Sequence, residues 1–323
     1  MHPRILSIGD ANIDLIAKIE RYPIRGGTAY GEPLRRHLGG SAITFAIGVA
    51  RLGETVGYIS KLGSDDFGKL LLNGLKEEGV DTSHISIEEG GHTGTIFVIV
   101  DEEGERTFFA FRNGCADTKL SPKDISEEYI RQTKLLQVSG IALVEPISRK
   151  ASLMAMKYAQ ENSVIVSFDP NLRLEKWELP KDLRKSFEEA IRLSDIVLAG
   201  SKEVNCLMNT TDHHNGAVNL LNLGPKIIVL KLGGKGSTII TKDTKISIPA
   251  FPVVVRDTTG AGDAYNAGFI VGYVNGWTLK EIATFANAVG AIRITRKDMK
   301  TGLPTRQETL AFLEKHLERK WRS

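Results

Sequence analysis

The segment from Asp257 to Asp263 contains the residue types and spacing best suited to chemistry. It reads Asp-Thr-Thr-Gly-Ala-Gly-Asp and lies between a β-rich run, 246–255, and an apolar helical pattern, 264–276. A glycine turn between a strand and a helix directs free backbone N–H groups at an anion. Asp263 would lie on the first helical turn beside that anion, where a carboxylate can accept a proton. The spacing therefore predicts phosphoryl transfer, in which Asp263 deprotonates the attacking hydroxyl.

The same segment also has a purely structural interpretation. A glycine-rich turn before a helix is common, and the helix dipole by itself favours an acid in the first turn. No Gly-Lys-Ser/Thr follows the glycines, so the segment is not a Walker A loop. The Gly-x-Gly-x-x-Gly spacing of a dinucleotide fold is also absent. The local pattern alone leaves the catalytic and the structural interpretations open.

Composition and charge describe an ordinary globular chain. Its 323 residues are 41% hydrophobic and 25% charged, which suits one large α/β domain or two smaller ones. The formal net charge of +3 is too small to indicate nucleic-acid or membrane binding. Cys115 and Cys206 give neither a disulfide framework nor a zinc spacing. Since the sequence shows no signal peptide and no long apolar run, we expect a cytoplasmic protein.

Strand-like apolar runs alternate with helical patterns along the chain. This alternation predicts an α/β fold with a doubly wound, mostly parallel sheet and helices on both faces. Ligands of such sheets bind beyond the carboxyl ends of the strands. The predicted strands are 5–8, 56–60, 134–139, 164–168, 196–198 and 227–230, and the predicted helices are 41–52, 68–78, 148–161, 182–193 and 214–221.

Two segments, at about 12–38 and 93–112, interrupt the alternation. The second reads as a hairpin, with strands at 95–100 and 106–111 joined by an acidic, glycine-ended turn. We expect a single domain, 1–323, in which these segments form a small β-sheet. We interpret that sheet as a lid, because phosphoryl transfer requires the exclusion of water. A plain edge hairpin is the alternative.

Several motifs together resemble the ribokinase-like (PfkB) family of sugar kinases. The segment 257–263, followed by Ala-Gly-Phe-Ile at 267–270, is similar to the C-terminal signature of that family. Gly-Gly-Ser-Ala at 39–42, with Gly53 and Gly63, is similar to its N-terminal signature. The turn 9–14 resembles its sugar-contacting turn, and Gly-Gly-Lys-Gly at 233–236 resembles the turn beside its nucleotide. The resemblance runs from about residue 4 to 318 in the expected order.

The resemblance implies an ATP-dependent sugar kinase on a ribokinase-like fold, with ATP and Mg²⁺ as cofactors and a sugar as substrate. Asp263 would be the catalytic base, and Gly260, Ala261 and Gly262 would supply an anion hole. Carboxylates suit the hydroxyls of a polyol, and Mg²⁺ in proteins usually keeps several waters. The residues implied to bind the substrate are Asn12, Asp14, Gly39, Gly40, Thr44 and Asp263. Those implied to bind the nucleotide are Lys231, Gly233, Gly236, Thr258, Gly260, Gly262 and Asn287. Glu203 would hold Mg²⁺ through water.

The chain departs from the family pattern at three places. Thr44 stands where the N-terminal signature carries Asn, and Gly200 replaces the Asn of the Asn-x-x-Glu motif that ends at Glu203. Many relatives also have a Gly-Ala-x-x-Ser run that helps to bind K⁺. This chain has Asp-Met-Lys-Thr-Gly at 298–302 instead, which leaves Asp257 and Thr259 as the only candidates for a K⁺ site.

Two arginines bear on the identity of the sugar. Arg112 ends the segment 105–112, and Arg173 ends the run Ser-Phe-Asp-Pro-Asn-Leu-Arg, with Trp177 beyond it. Both segments resemble the fructokinase and 2-keto-3-deoxygluconate kinase branch. An arginine pair would suit the carboxylate of a sugar acid. Because the keto-acid kinases usually carry Tyr at the position of Ala110, the pattern favours a fructokinase, with a keto-acid kinase or a ribokinase or nucleoside kinase as alternatives.

Two further hypotheses concern activity and assembly. Thr44 and Gly200 would permit a sugar or nucleotide sensor that has lost its chemistry, but the complete 257–263 segment argues against this. The resemblance also implies a homodimer formed through the lid. Its apolar residues would be Ile96, Val98, Phe109 and Phe111.

Overall fold

Two sheets organise the computed structural model, which describes residues 2–103, 105–173, 178–297, 302–317 and 321. The strands are β1 (Ile5–Ile8), β2 (Asn12–Lys18), β3 (Arg35–Gly39), β4 (Val56–Gly63), β5 (Ile85–Glu88), β6 (Gly94–Val100), β7 (Arg106–Phe111), β8 (Leu135–Ser139), β9 (Ile165–Asp169), β10 (Ile196–Gly200), β11 (Ile227–Lys231), β12 (Ser237–Ile240) and β13 (Lys245–Ile248). The large sheet has the order β13-β12-β11-β10-β9-β8-β1-β4-β5, and the small sheet has the order β3-β2-β6-β7.

The large sheet is parallel over most of its width. Its strands from β11 to β5 run parallel, whereas β12 pairs antiparallel with both β11 and β13. Strands β1 and β8 are buried along their whole length, as expected for parallel strands that are covered on both faces. The doubly wound α/β fold predicted from the alternation of elements is thus confirmed.

Helices cover the large sheet. Within the described residues they are α1 (Ser41–Arg51), α2 (Asp66–Glu77), α3 (Glu127–Arg131), α4 (Pro146–Glu161), α5 (Lys181–Arg192), α6 (Ser201–Met208), α7 (His213–Leu221), α8 (Ala261–Val274), α9 (Leu279–Ile294) and α10 (Arg306–Leu317). Helices α8 and α9 are buried on nearly every side, because α8 packs against both α9 and α1. None of the described helices combines the length and the apolar character needed to cross a membrane.

The small sheet contains the predicted hairpin and two strands from the segment 12–38. Strand β2 pairs antiparallel with β3 and parallel with β6, and β6 and β7 form the hairpin. Ile13 and Leu15 turn into the core, so Asn12 and Asp14 point to the opposite face. Gly104, in the predicted hairpin turn, lies outside the described residues. The roles of this sheet as a lid and as a dimer interface stay predictions.

The approach to the Asp257–Asp263 segment differs from the sequence prediction. A β-rich run was expected at 246–255, but β13 ends at Ile248 and residues 249–256 form no strand. Pro249 and Pro252 lack the backbone N–H that a strand needs for pairing. The chain therefore reaches α8 through an irregular segment, although the turn and the helix start where they were predicted.

Polar residues gather where the parallel strands of the large sheet end. Strand β8 ends at Ser139, β9 at Asp169, β10 at Gly200 and β11 at Lys231, and Asp10 follows β1 by two residues. The carboxyl ends of parallel strands share one edge of a sheet, which is where ligands bind in folds of this kind. Residues that lie far apart in the sequence therefore meet at this edge.

A glycine in α1 sets the distance between α1 and α8, the two helices that begin at this edge. A Cβ atom at Gly48 would lie 2.8 Å from Cβ of Ala267, closer than packed carbon atoms approach one another. The absence of a side chain at Gly48 therefore lets the two helices cross tightly. Ser41 at the start of α1 and Asp263 at the start of α8 are consequently held near each other.

We expect Gly48→Ala to destabilise the protein by about 1–3 kcal/mol, the usual cost of overpacking. An alanine at an unhindered helix site would instead stabilise by about 0.5–1 kcal/mol relative to glycine, so the sign of the effect is diagnostic. Denaturant unfolding of Gly48→Ala, Ala267→Gly and the double variant measures it. The double variant should lose less free energy of unfolding than the two single changes together. Additive losses would show that the two positions do not touch.

Candidate active site

Asp263 lies in the first turn of α8, at the centre of the site. The helix begins after Gly260, whose φ of 71° is in the left-handed region that glycine adopts without strain. Asp263 is only 8% exposed, and its Oδ1 accepts a hydrogen bond of 2.6 Å from the hydroxyl of Ser41. The N-terminus of α1 thus supplies a partner for the acid of α8. Ser41 was not among the site residues predicted from the sequence, because the bond spans 222 positions.

The environment of Asp263 makes it a competent base near neutral pH. Burial and the negative charge of Asp169 together raise the pKa of Asp263 to about 7, although the bond from Ser41 and the positive charges of Arg173 and Lys231 lower it. A carboxylate with its pKa near the working pH is suited to take up a proton and to release it again.

The turn before Asp263 offers free backbone donors. Among the described residues, the amides of Gly260, Gly262 and Asp263 have no hydrogen-bond acceptor. The amide of Ala261, which was also predicted to face the anion, instead donates to the carbonyl of Thr258 at 3.2 Å. The turn closes on itself at that residue, so the predicted anion hole is corrected to the amides around Gly260 and Gly262. Free N–H groups at a helix N-terminus favour a negatively charged group.

Lys231 lies beside this turn. Its Nζ would be 3.6 Å from a Cβ atom at Gly262, and it is 3.3 Å from both Asp169 Oδ2 and Asn266 Oδ1. Burial disfavours the ammonium, but the charges of Asp169, Glu203 and Asp263 outweigh it and raise the pKa of Lys231. The site therefore holds a permanent positive charge next to the free amides.

A cradle of hydrogen-bonding groups is formed by β2 and the end of β3. Nδ2 of Asn12 donates to Oδ1 of Asp14 at 2.6 Å. A side chain at Gly39 would collide with both of these groups, and a side chain at Gly40, with φ at 109°, would collide with the carbonyl of Asp10. Burial raises the pKa of Asp14 to about 7 despite the bond from Asn12. The two predicted glycines thus keep this cradle open.

Arg112 belongs to the same cradle, but its charge is compensated. Its Nη1 donates to Oδ1 of Asn12 at 3.0 Å, and its Nη2 donates to the carboxylate of Asp117. Asp117 also accepts a bond of 3.2 Å from the amide of Ala11. The guanidinium therefore orients Asn12 while it forms a buried ion pair with Asp117. Asp117 was missed as a site residue, although it follows Arg112 by five positions.

Arg173 is a further cation whose charge acts on the site. Its positive charge lowers the pKa of both Asp14 and Asp263. Within the part of the chain that the structure describes, its guanidinium forms no ion pair, and its side chain is exposed. The charges of Arg112 and Arg173 both lower the pKa of Asp14, and the convergence of the two arginines on the substrate stays a prediction. Trp177, which was noted beyond Arg173, lies outside the described residues.

Two side chains position the start of α1. Thr44 is buried, and its hydroxyl donates to the carbonyl of Gly40 at 2.9 Å. The carboxylate of Asp10 accepts the amides of Ser41 at 2.9 Å and Ala42 at 3.3 Å. Asp10 thus satisfies the first amides of the helix, as capping residues do. Thr44, predicted to contact the substrate, directs its hydroxyl proton to the backbone instead.

Asp169, which is buried, and Glu203, which is half-buried, form the candidate metal site. Glu203 accepts the amides of Leu172 at 2.9 Å and Gly200 at 2.6 Å, so both of its oxygens are fixed in place. Burial and the charge of Asp169 raise the pKa of Glu203. Among the described residues, the ammonium of Lys231 lies 3.3 Å from Asp169, and a divalent cation would balance the remaining negative charge. No cluster of three acidic, His or Cys ligands exists in the described residues, so such a cation would have to keep its waters.

The predicted K⁺ ligands carry a different partner. Nη1 of Arg106 donates to Asp257 Oδ1 at 2.7 Å and to Thr259 Oγ1 at 2.7 Å. A guanidinium therefore occupies the two oxygens that a K⁺ ion would use, and K⁺ does not fit there. Of the run 298–302, which stands where many relatives have a K⁺-binding Gly-Ala-x-x-Ser run, residues 298–301 lie outside the described residues.

The predicted nucleotide residues lie at the end of the large sheet. A side chain at Gly233, with φ at 57°, would meet open space, whereas one at Gly236 would collide with the carbonyl of Ile248. The side-chain Nδ2 of Asn287 donates to the backbone carbonyls of Ile248 at 3.1 Å and Pro249 at 3.2 Å. Asn287 thus holds β13 beside this turn, and the open side of Gly233 leaves room for a bound group.

Comparisons with known proteins agree with this geometry. Residues 2–306 match the family described as pfkB family carbohydrate kinase. A 5-dehydro-2-deoxygluconokinase of Clostridium perfringens is 36% identical over 291 residues, which cover 88% of this chain and 86% of that protein.

Two solved structures share the fold along nearly the whole chain. The fructokinase of Xylella fastidiosa with bound ATP has a TM-score of 0.86 at 26% identity, covering 97% of this chain and 98% of that one. A candidate ribokinase II of E. coli in complex with ATP and Mg²⁺ has a TM-score of 0.88 at 26% identity, covering 97% of this chain and all of that one. With these matches and the site geometry together, the chain belongs to the pfkB family of carbohydrate kinases, which are phosphotransferases with an alcohol group as acceptor.

Proposed function

We propose that this kinase transfers the γ-phosphoryl group of ATP to a hydroxyl of a keto sugar, with Asp263 as the general base. One observation supports this proposal most directly. Asp263 is a buried carboxylate with a pKa of about 7, and it stands at a turn of free amides. Ser41, which donates a hydrogen bond to Asp263, follows Gly39 by two residues. Gly39 in turn lines the cradle formed by Asn12 and Asp14. An alcohol in the cradle would therefore meet a phosphoryl group at the amides.

The cradle would bind and orient the sugar. Asp14 can accept hydrogen bonds from sugar hydroxyls, and Asn12 can both donate and accept. Arg112 fixes the amide of Asn12 by a hydrogen bond of 3.0 Å to its oxygen. This preorganisation lowers the entropic cost of bringing the hydroxyl to Asp263.

The phosphates would bind at the turn and beside Lys231. The structurally similar E. coli protein contains ATP and Mg²⁺, and the carboxylates of Asp169 and Glu203 fit a hydrated Mg²⁺. When bound, Mg²⁺ would neutralise charge that develops on the phosphate oxygens. Glu203 and Asp169 would hold it through water, while the buried ammonium of Lys231 would lie against the phosphates.

The proton would move to Asp263 during transfer. As the bond between the sugar oxygen and the γ-phosphorus forms, the bond from that phosphorus to the ADP oxygen breaks, and the hydroxyl proton passes to the Asp263 carboxylate. The amides of Gly260 and Gly262 would stabilise the charge on the transferring group. The bond from Ser41 orients the carboxylate and favours its ionised form before the transfer.

A neutral ketose such as fructose suits the cradle best. The charge of Arg112 is compensated by Asp117, so it offers little to a carboxylate of the substrate. Ala110 lies on β7 in register with Asp14 through Ile96, and its methyl group cannot donate a hydrogen bond. The fructokinase structure with bound ATP supports the same choice.

A sugar acid is the second candidate, and Arg173 is the observation that favours it. Its positive charge lowers the pKa of Asp14 and Asp263, and its guanidinium forms no ion pair among the described residues. An uncompensated arginine at a substrate site is suited to bind a carboxylate. The 5-dehydro-2-deoxygluconokinase relative carries the name of such a substrate.

We expect Asp263→Asn to lower kcat by roughly 10²-fold or more, because the amide cannot accept the hydroxyl proton. Binding of the sugar, measured by calorimetry without nucleotide, should change little. A coupled assay for ADP release over a panel of fructose, 2-keto-3-deoxygluconate and 5-dehydro-2-deoxygluconate gives kcat. Near-normal turnover by the variant would remove Asp263 from the role of base.

The pH profile should report the carboxylate of Asp263. Since the base must be ionised, kcat/KM should rise with pH through a midpoint near 7, where the pKa of Asp263 lies. Ser41→Ala removes a bond that lowers this pKa, so the midpoint should move to higher pH. Asp14→Asn is the control, because the pKa of Asp14 is also about 7 and Asp14 could produce the same midpoint. In the Asp14→Asn background, Ser41→Ala should still move the midpoint. An unshifted midpoint in Ser41→Ala would contradict the assignment.

Arg173→Ala separates the two substrate candidates. If the substrate is a sugar acid, loss of the guanidinium should raise its KM by roughly tenfold or more, the scale of a charged hydrogen bond. If the substrate is fructose, its KM should stay within about twofold of wild type. Arg36→Ala, at an exposed site on β3, serves as the matched control for loss of a surface charge. Equal effects of the two variants would argue against a substrate contact by Arg173.

A further inference from the structure

One arginine of the small sheet holds the turn that carries the free amides. Arg106 opens β7, and its Nη1 donates to Asp257 and to Thr259, about 150 positions away in the sequence. One guanidinium nitrogen carries two N–H groups, and here each has an acceptor at 2.7 Å. The side chain of Arg106 is 27% exposed and that of Asp257 only 3%, so the pair is shielded from solvent on the aspartate side.

Asp257 is saturated by donors within the described residues. The amide of Thr259 also donates to its Oδ1 at 2.9 Å, and Nη2 of the fully buried Arg293 lies 3.3 Å from its Oδ2. Burial alone would raise the pKa of Asp257, but the bonds from Thr259 and Arg106 outweigh it and lower that pKa. A monovalent metal ion needs these oxygens as ligands and would meet two positive guanidinium groups, which repel it.

The partners of Arg106 lead directly into the free amides. Thr259 is followed by Gly260, whose left-handed backbone directs the turn into α8. Fixing the carboxylate of Asp257 and the hydroxyl of Thr259 therefore fixes the chain on the entry side of the turn. At the other end of α8's first turn, Ser41 holds Asp263.

Strand β7 links this turn to the sugar cradle. Arg106 begins the strand, and Arg112, which follows its last residue, contacts Asn12. Their separation of six positions is even, so both side chains leave the same face of the extended chain. The strand therefore contacts the anion turn with one arginine and the sugar-binding residues with the other.

We infer that Arg106 takes the place of a monovalent cation at Asp257 and Thr259, and that it positions the anion turn only when the small sheet is docked. The enzyme then needs no K⁺ to order this turn. This inference rests on the proposed role of the Gly260 and Gly262 amides. Arg106 is a positioning residue, since it acts through Asp257 and Thr259.

The test compares Arg106→Ala with Lys18→Ala. Lys18 lies in the same small sheet and forms an exposed ion pair with Glu32, so its loss controls for a removed positive charge. Wild type should have the same kcat, within about twofold, in potassium and tetramethylammonium buffers. Arg106→Ala should lose roughly 10²-fold in kcat, the scale of a misplaced catalytic group, and millimolar guanidinium should restore at least a tenth of it. Lys18→Ala should match wild type.

Hydrogen–deuterium exchange gives a readout that needs neither sugar nor turnover. In Arg106→Ala the amides of 257–263 should exchange faster than in wild type, and added guanidinium should restore their protection. Lys18→Ala should leave them unchanged. A failure of the proposed substrate or of the proposed base would not alter this result, so the two proposals can be tested separately.

Two results would overturn the inference. The first is a wild-type kcat that falls more than about fivefold when tetramethylammonium replaces potassium, or a melting temperature that potassium specifically raises. The second is an Arg106→Ala variant with wild-type kcat and wild-type exchange at 257–263. If the alanine variant does not fold, Arg106→Gln keeps a polar side chain with two N–H groups, but it is shorter than arginine and carries no charge. Arg106→Gln should show the same loss of kcat and the same faster exchange at 257–263. Wild-type values of both in this variant would count against the inference.

Discussion

The burial of the Asp263 carboxylate is the constraint on which the rest of the site depends. A buried carboxylate is costly unless polar groups surround it, and the cost appears here as a pKa raised to about 7. The structure offsets part of this cost with the hydroxyl of Ser41, at 2.6 Å. That bond requires α1 and α8 to start side by side, and Gly48 permits this because it adds no side chain between the two helices.

Charge compensation differs from one cation of the site to the next, and this difference separates structural roles from functional ones. Arg112 is paired with Asp117, and Arg106 is paired with Asp257. Both arginines come from the β7 side of the small sheet and hold other groups in place. The ammonium of Lys231 is paired with Asp169 and also faces the open space beside Gly262. Arg173 has no ion pair in the described residues. Lys231 and Arg173 are the cations that the proposed function assigns to the phosphates and to a substrate carboxylate.

Much of the site could be predicted from local patterns. The glycine turn, the start of α8 and the acid on its first turn follow from the order strand, glycine, helix, and only the strand before the turn was placed wrongly. The prediction failed for residues whose partners are distant. Ser41 and Asp169 meet Asp263 or its neighbours only after the strands align their carboxyl ends. Ala261 was predicted to face the anion, but its amide closes the turn on Thr258.

The sequence by itself determined the fold class and predicted phosphoryl transfer with Asp263 as the base, because helical and strand periodicities and a glycine turn are local properties. The resemblance in its motifs named the family, which the comparisons confirm. Only the tertiary structure decided what occupies the oxygens of Asp257 and Thr259. The sequence left them as ligands for a metal ion, whereas the folded chain brings the guanidinium of Arg106 to them from a strand about 150 residues away. A contact of that range depends on how two sheets pack, which no local pattern specifies.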